Sequence, residues 1–293
     1  MHPAHPTPDF ELMGVVNVTP DSFSDGGRYL EAAAAIAHGQ ELAREGAAIL
    51  DVGGESTRPG AEPVPVAEEL HRVMPVIEGL VAGGVGARPD GGGRISIDTS
   101  KAEVAAAALA AGATMVNDVT ALRAAPEIAG LVAGHGAQLC LMHMLGTPRT
   151  MQQHPRYDDV VAEVGRFLEE RLRFAVDQGV PEERILLDPG IGFGKTTEHN
   201  LELLRRLPEL VAIGRPIVIG TSRKGFLGRL TGRADPSERL AATIATNVLA
   251  YERGARVFRV HEVAPVIDAL TVTAATVAPL AGPGVSHRPS GEP

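Results

Sequence analysis

A chain of 293 residues with 44% hydrophobic side chains can bury one large α/β core or two smaller ones. Trp is absent and aromatics are 3%, so Ala, Val, Leu and Ile must fill that core, and Cys140, the single cysteine, rules out an intrachain disulfide. The balance of 27 basic against 36 acidic residues, −9 in all, leaves no broad nucleic-acid surface, so any anion must be bound locally.

In chain order, Met1–Pro8 has no apolar run behind it and does not read as a signal peptide. No stretch approaches the roughly 18 apolar residues of a membrane span, so a cytoplasmic protein without a membrane partner is expected. Apolar β-type runs then follow at Leu12–Val16, Ala48–Val52, Arg94–Ile97, Thr114–Val116, Gln138–Met142, Ile185–Leu187, Pro216–Ile219 and Arg256–Phe258. Alanine-rich helical patterns separate them. Ser100 followed by Glu103 is a capping-box pattern for a helix over Lys101–Ala111. Val160, Val164, Phe167, Leu168, Leu172 and Ala175 share one face of a longer helix. Asp235-Pro236 with Glu238 opens another, on which Leu240, Ile244 and Val248 recur at i, i+4. Cys140 sits in the apolar run Ala137–Leu141 and reads as a small core residue, not a nucleophile.

Apolar strands alternating with helices imply a parallel sheet buried on both faces. Eight such units in this length predict an α/β fold of one (β/α)8 TIM barrel over residues 10–280, with flexible tails at 1–9 and 281–293. A doubly wound open sheet is the alternative. It would gather ligand residues near one switch point, whereas here polar groups follow almost every strand.

Those strand ends are Asn17 with the loop Thr19–Gly27, Asp51 with Gly53–Gly60, Asp98–Lys101, Asn117-Asp118, Met142-His143, Asp188–Lys195, Gly220–Gly225 and Arg259-Val260-His261. A single polar residue after a strand is ordinarily a helix cap, and Ser100 and Asp118 fit that role. Eight in succession require another reason: in a barrel they converge on one mouth. Asp98, Asn117 and Asp188 offer acceptors, which a ligand with an N–C–N donor edge would satisfy; Lys224 could instead neutralise one of the aspartates. Arg58, Arg223, Lys224, Arg259 and His261 form a cationic set suited to phosphate or diphosphate. Asn17 could lend one oxygen to a Mg²⁺ held mainly by substrate phosphates. Pro189 stands where a Walker loop needs glycine, so Gly190–Lys195 is not one; Gly192 and Gly194 read as letting backbone approach a flat ligand. His143, His154, His199 and His261 lack zinc spacing.

The strings MGVVNVTPDSFSDGG (13–27), DVGGESTRPGA (51–61), ISIDTSK (95–101), VND (116–118), LDPGIGFGK (187–195), GTSRKGFLG (220–228) and RVHEV (259–263) resemble the dihydropteroate synthases, in family order, from about Phe10 to Leu280. The resemblance implies a pterin-binding TIM barrel of folate biosynthesis and a sulfonamide target. Such enzymes join 6-hydroxymethyl-7,8-dihydropterin diphosphate to p-aminobenzoate with Mg²⁺ and form homodimers. By resemblance, Asp98, Asn117 and Asp188 hold the pterin edge, Lys224 lies on its other polar side, and Met142 and Phe193 contact its ring. Arg259 and His261 bind diphosphate, and Asn17 joins the Mg²⁺. Thr57, Arg58, Pro59 and Ser222 line the p-aminobenzoate side with Lys224, and Thr57 also borders the pterin diphosphate. Phe23, Asp25 and Arg58 belong to the closing loops. Ile191 and Glu262 depart from the commoner Phe and Asp without removing a chemical group. Two other readings share the pterin residues: a methyltetrahydrofolate-dependent corrinoid methyltransferase and a non-catalytic pterin-binding paralogue. The first has no use for Arg259-Val260-His261 or Ser56–Pro59; the intact loops argue against the second.

Overall fold

A computed structural model describes residues 9–18, 28–58, 60–86 and 93–277. Strands and helices alternate: β1 Glu11–Asn17, α1 Arg28–Arg44, β2 Ile49–Gly53, α2 Val66–Ala82, β3 Arg94–Asp98, α3 Ala102–Ala110, β4 Met115–Asp118, α4 Ile128–His135, β5 Gln138–Met142, α5 Val160–Asp177, β6 Ile185–Asp188, α6 Thr197–Arg205, α7 Leu207–Val211, β7 Val218–Ile219, α8 Gly225–Thr231, α9 Leu240–Glu252, β8 Val257–Val260 and α10 Val263–Val277. The strand order is β6-β5-β4-β3-β2-β1-β8-β7, with every pairing parallel. A parallel bridge between Leu187 and Ile217 joins the two ends. The sheet is therefore a TIM barrel, not an open doubly wound sheet. β7 is shorter than the Pro216–Ile219 run because Pro216 has no N–H for a ladder; its carbonyl still accepts from the Leu187 amide at 3.0 Å.

Period-two alternation then sorts the side chains. Leu50, Val52, Ile97, Val116, Leu139, Leu141 and Leu187 join the large core beneath the helices. Ala35, Ala105, Ala108 and Ala129 line the helix side of that core, where small side chains permit close approach. Met13, Ile49, Met115, Cys140, Leu186, Val218 and Val257 form a separate cluster inside the barrel. Cys140 is thus a core residue, as its apolar run suggests. Two residues further along their strands stand Val15, Asp51, Asn117, Met142, Asp188, Gly220 and Arg259. The same alternation that fills the barrel aims the polar set into its mouth.

Three local readings change. The Ser100–Glu103 box does not form: α3 begins at Ala102, and the Lys101 amide donates instead to Thr99 Oγ1 at 3.2 Å. A reciprocal capping box closes α6, between Thr196 and His199. On α9 the buried residues are Thr243, Asn247, Ala250 and Tyr251, while Leu240, Ile244 and Val248 are half-buried. Asp235 does cap what precedes α9, a short 3-10 turn over Pro236–Arg239, accepting from the Ser237 amide at 2.8 Å. At the start of the described chain Asp9 is tied down: Tyr251 donates to Asp9 Oδ1 at 2.6 Å and Arg256 pairs with Asp9 at 3.0 Å. The rest of both expected tails lies largely outside the described residues. Among the described residues no helix is long and apolar enough to cross a membrane.

Candidate active site

The centre of the mouth is an ionic cluster on four strands. Arg259, on β8, donates Nε to Asp51 Oδ2 at 2.6 Å and Nη2 to Asp98 Oδ2 at 2.9 Å. Asp51 Oδ2 also accepts from Asn117 Nδ2 at 3.0 Å. That bond directs the Asn117 amide oxygen away from Asp51. Asp51 is fully buried, and its Oδ1 has no hydrogen-bond partner among the described residues. Burial and then the Asp51 carboxylate push the Asp98 pKa up, while Arg259 opposes them. Burial disfavours the Arg259 charge, yet Asp51 and Asp98 outweigh it and hold its pKa above the ordinary value. Arg259, rather than Lys224, is the cation paired with Asp98.

The β6 loop makes the next wall. Asp188, at the end of β6, lies beside Met142 in register, and its Oδ1 accepts from the Gly190 amide at 2.6 Å. Burial raises the Asp188 pKa against the Gly190 amide and the charge of Lys224. Phe193 packs with Met142, Val119, Met144 and Met151. Lys224 Nζ stands 4.0 Å from the Phe193 ring centroid, with no hydrogen-bond partner among the described residues. Burial and the nearby Arg259 lower its pKa to about 8. Gly190 must be glycine: its φ is 66°, and a Cβ would fall 1.9 Å from the His143 carbonyl oxygen. Gly192 and Gly194 also have positive φ, and a Cβ on Gly194 would lie 2.6 Å from Leu145 Cβ. These glycines serve the turn and its packing against the β5 loop; Gly192 is also closed in by the Lys224 side chain.

Behind this loop Lys195 is buried, its Nζ 2.9 Å from His143 Nδ1 and 3.0 Å from the Phe193 carbonyl oxygen. Burial lowers the Lys195 pKa to about 7, and burial with the Lys195 charge lowers that of His143 to about 2. The His143 imidazole is therefore the neutral acceptor.

On the opposite side, Ser222 Oγ and His261 Nδ1 are 2.9 Å apart. Burial, then the charges of Arg259, Arg223, Lys224 and Arg58, depress the His261 pKa to about 3. Arg259, Arg223, Lys224 and Arg58 thus converge around a neutral His261, which is a hydrogen-bonding group and not, as expected from sequence, one of the cations; Arg223 Nε is also engaged by Glu262 at 2.8 Å. The polar face of α9 holds the β7 loop: Thr221 Oγ1 donates to Asn247 at 3.2 Å, and the Arg223 amide donates to Thr243 at 3.2 Å. Thr57 is half-buried and Arg58 exposed on the β2 loop, while Asn17 is half-buried at the end of β1. Phe23, Asp25 and Pro59 lie outside the described residues. Asp118 is a turn cap, accepting from the Thr120 and Leu122 amides at 2.8 and 2.7 Å. From sequence, Asp51 and Lys195 are placed at strand ends but given no role, and Thr243 and Asn247 are not singled out. For Asp51 the signal was available: it is two residues beyond Ile49 on an inward face.

Inward acceptors, a stacking wall and a ring of cations at the mouth of a parallel barrel define a barrel enzyme for a flat, donor-edged, anionic ligand. The family model described as pterin binding enzyme matches residues 13–261. The chain is 46% identical to the dihydropteroate synthase of Synechocystis sp., over 86% of this chain and 85% of that one. Among solved structures it is similar to the Xanthomonas albilineans dihydropteroate synthase with 4-aminobenzoic acid, at 53% identity and a TM-score of 0.84, covering 92% of this chain and 93% of that one. The same synthase in complex with 7,8-dihydropteroate is 50% identical, with a TM-score of 0.80, covering 92% and 94%. The chain belongs to the pterin-binding enzyme family and, within it, to the dihydropteroate synthases, transferases of folate synthesis.

Proposed function

We propose that the barrel mouth joins 6-hydroxymethyl-7,8-dihydropterin diphosphate to p-aminobenzoate, releasing 7,8-dihydropteroate and diphosphate. The carrying observation is the adjacency of a buried carboxylate–amide cluster and a cationic ring. The first accepts from the pterin edge through Asp98, Asn117 and Asp188, with Lys224 on the pterin's other polar side and Met142 and Phe193 against its ring. Arg259 and His261 face the diphosphate, and Thr57 borders it. Thr57, Arg58, Ser222 and Lys224 line the p-aminobenzoate side; for Pro59, Phe23 and Asp25, outside the described residues, the roles are those the family resemblance implies.

Charge explains the order of events. The exocyclic CH₂–O bond breaks with its electron pair moving to the diphosphate, whose growing negative charge the cations stabilise. Positive charge left on the pterin lies near Asp98 and Asp188. The neutral arylamine attacks the methylene carbon through its lone pair, forming the C–N bond, and the nitrogen then loses a proton. A neutral arylamine needs little activation, so positioning and fixed charges carry the rate.

The half-buried Asn17 amide suits a Mg²⁺ ligated chiefly by phosphate oxygens and water. Bound there, Mg²⁺ would supply charge neutralisation for the leaving diphosphate. We also propose a homodimer, as the resemblance to the dihydropteroate synthases implies. Light scattering of the purified chain checks this, a monomer counting against it.

The test of the activity is Mg²⁺-dependent diphosphate release with and without p-aminobenzoate. Release that requires p-aminobenzoate supports the synthase reading; its absence sinks it.

A further inference from the structure

The β2 loop, which carries Thr57 and Arg58, is gripped at its base by charges that the proposed chemistry does not use. Lys101, just before α3, forms ion pairs with Glu55 of the loop and Glu69 of α2. Glu69 is fully buried; its Oε2 takes the Lys101 pair and its Oε1 has no hydrogen-bond partner among the described residues. Desolvating such a carboxylate is costly, and an apolar residue would serve packing better. From the same helix, Arg72 Nη1 donates to the Gly54 carbonyl oxygen at 2.9 Å. A Cβ on Gly54 would lie 2.8 Å from Val73 and 3.1 Å from Glu69, so the loop base sits directly on α2. Burial opposes the Lys101 charge, but the two carboxylates keep its pKa above the ordinary value, so Lys101 is an ammonium at neutral pH.

We infer that Lys101, acting through Glu55 and Glu69, is a positioning residue for the second substrate: it ties the β2 loop to α2 and so sets where Thr57 and Arg58 stand. The inference rests on the assignment of those two residues to the p-aminobenzoate side. Lys101 follows Asp98 by three residues, and its ammonium is turned toward α2 and the β2 loop, where it pairs with Glu55 and Glu69. Glu69 also acts on Asp98 through its charge, so loss of the tie falls mainly, not solely, on the second substrate.

Steady-state kinetics in both substrates test this on the full chain. Lys101→Met is expected to raise KM for p-aminobenzoate roughly tenfold, since loose positioning is costly even where no group touching substrate is lost. KM for the pterin diphosphate, and pterin affinity by calorimetry, change several-fold less than the p-aminobenzoate KM, because the triad reaches Asp98 only through the Glu69 charge. Lys101→Arg restores the p-aminobenzoate KM. Should Lys101→Met fail to fold, Glu55→Gln releases the loop while leaving Glu69 paired with Lys101, and is expected to raise the same KM selectively. An unchanged p-aminobenzoate KM in the folded variants, or equal rises in both KM values, overturns the inference. Wild-type turnover, measured first, tests the proposed activity separately, and Arg58→Ala, expected to raise the p-aminobenzoate KM, tests the assignment on which the inference rests.

Discussion

Asp51 shows how much one inward position decides. It shares one oxygen between Asn117 and Arg259, which join the acceptor edge to the cationic side of the mouth. At Asp188 the carboxylate is buried, and its Oδ1 accepts from the Gly190 amide. Asp188→Asn preserves an acceptor for Gly190 but removes the charge offered to the pterin. Its pterin affinity by calorimetry should fall roughly tenfold to a hundredfold, as for one charged hydrogen bond lost. Unchanged affinity would move the pterin edge elsewhere. Lys224, with its pKa lowered to about 8, is charged below that pH and neutral above it. Affinity for the anionic pterin diphosphate should therefore decline as pH rises through about 8, and Lys224→Gln should lessen that decline. Titration calorimetry across this range checks the sign.

At the scale of elements, the β6 loop is the most constrained piece of the mouth. Replacing Gly190 by Ala puts a methyl 1.9 Å from the His143 carbonyl oxygen at a φ of 66°. The loop must shift, at a cost of at least about 2 kcal/mol, lowering the urea midpoint. A midpoint within error of wild type would show that the loop is not held as described. The strands and their polar ends were legible in the sequence because period two and the C-terminal position are local signals. Long-range partners were not. Arg259 and Asp51 are 208 residues apart, and nothing near either one names the other. The α9 pattern misled for a related reason. Its apolar i, i+4 series is half-buried, while Thr243 and Asn247 face inward because the β7 loop offers them polar partners. Ser100 failed as a cap because the Lys101 amide turns to Thr99.

For the molecule as a whole, the barrel carries its function on one face and its stability partly in buried bases behind it. His143 has its pKa lowered from 6.5 to about 2 by burial and Lys195, so the unfolded chain takes up this proton first as pH falls. Its contribution is full above 6.5 and is lost as pH drops toward 2, by up to about 1.4 kcal/mol per unit. Lys195, lowered from 10.5 to about 7, has the same sign: stability rises with pH between those values. Urea midpoints at mildly acidic and neutral pH should differ in that direction, and His143→Gln should flatten the acid slope. A steeper slope in the variant would contradict the assignment of the neutral imidazole. The central claim is that this mouth transfers the pterinylmethyl group from diphosphate to an arylamine. Quantifying both products of one reaction, with pterin diphosphate, p-aminobenzoate and Mg²⁺, tests it most directly. The account predicts dihydropteroate and diphosphate in equal amounts throughout the time course; diphosphate without dihydropteroate, or neither product, would contradict it.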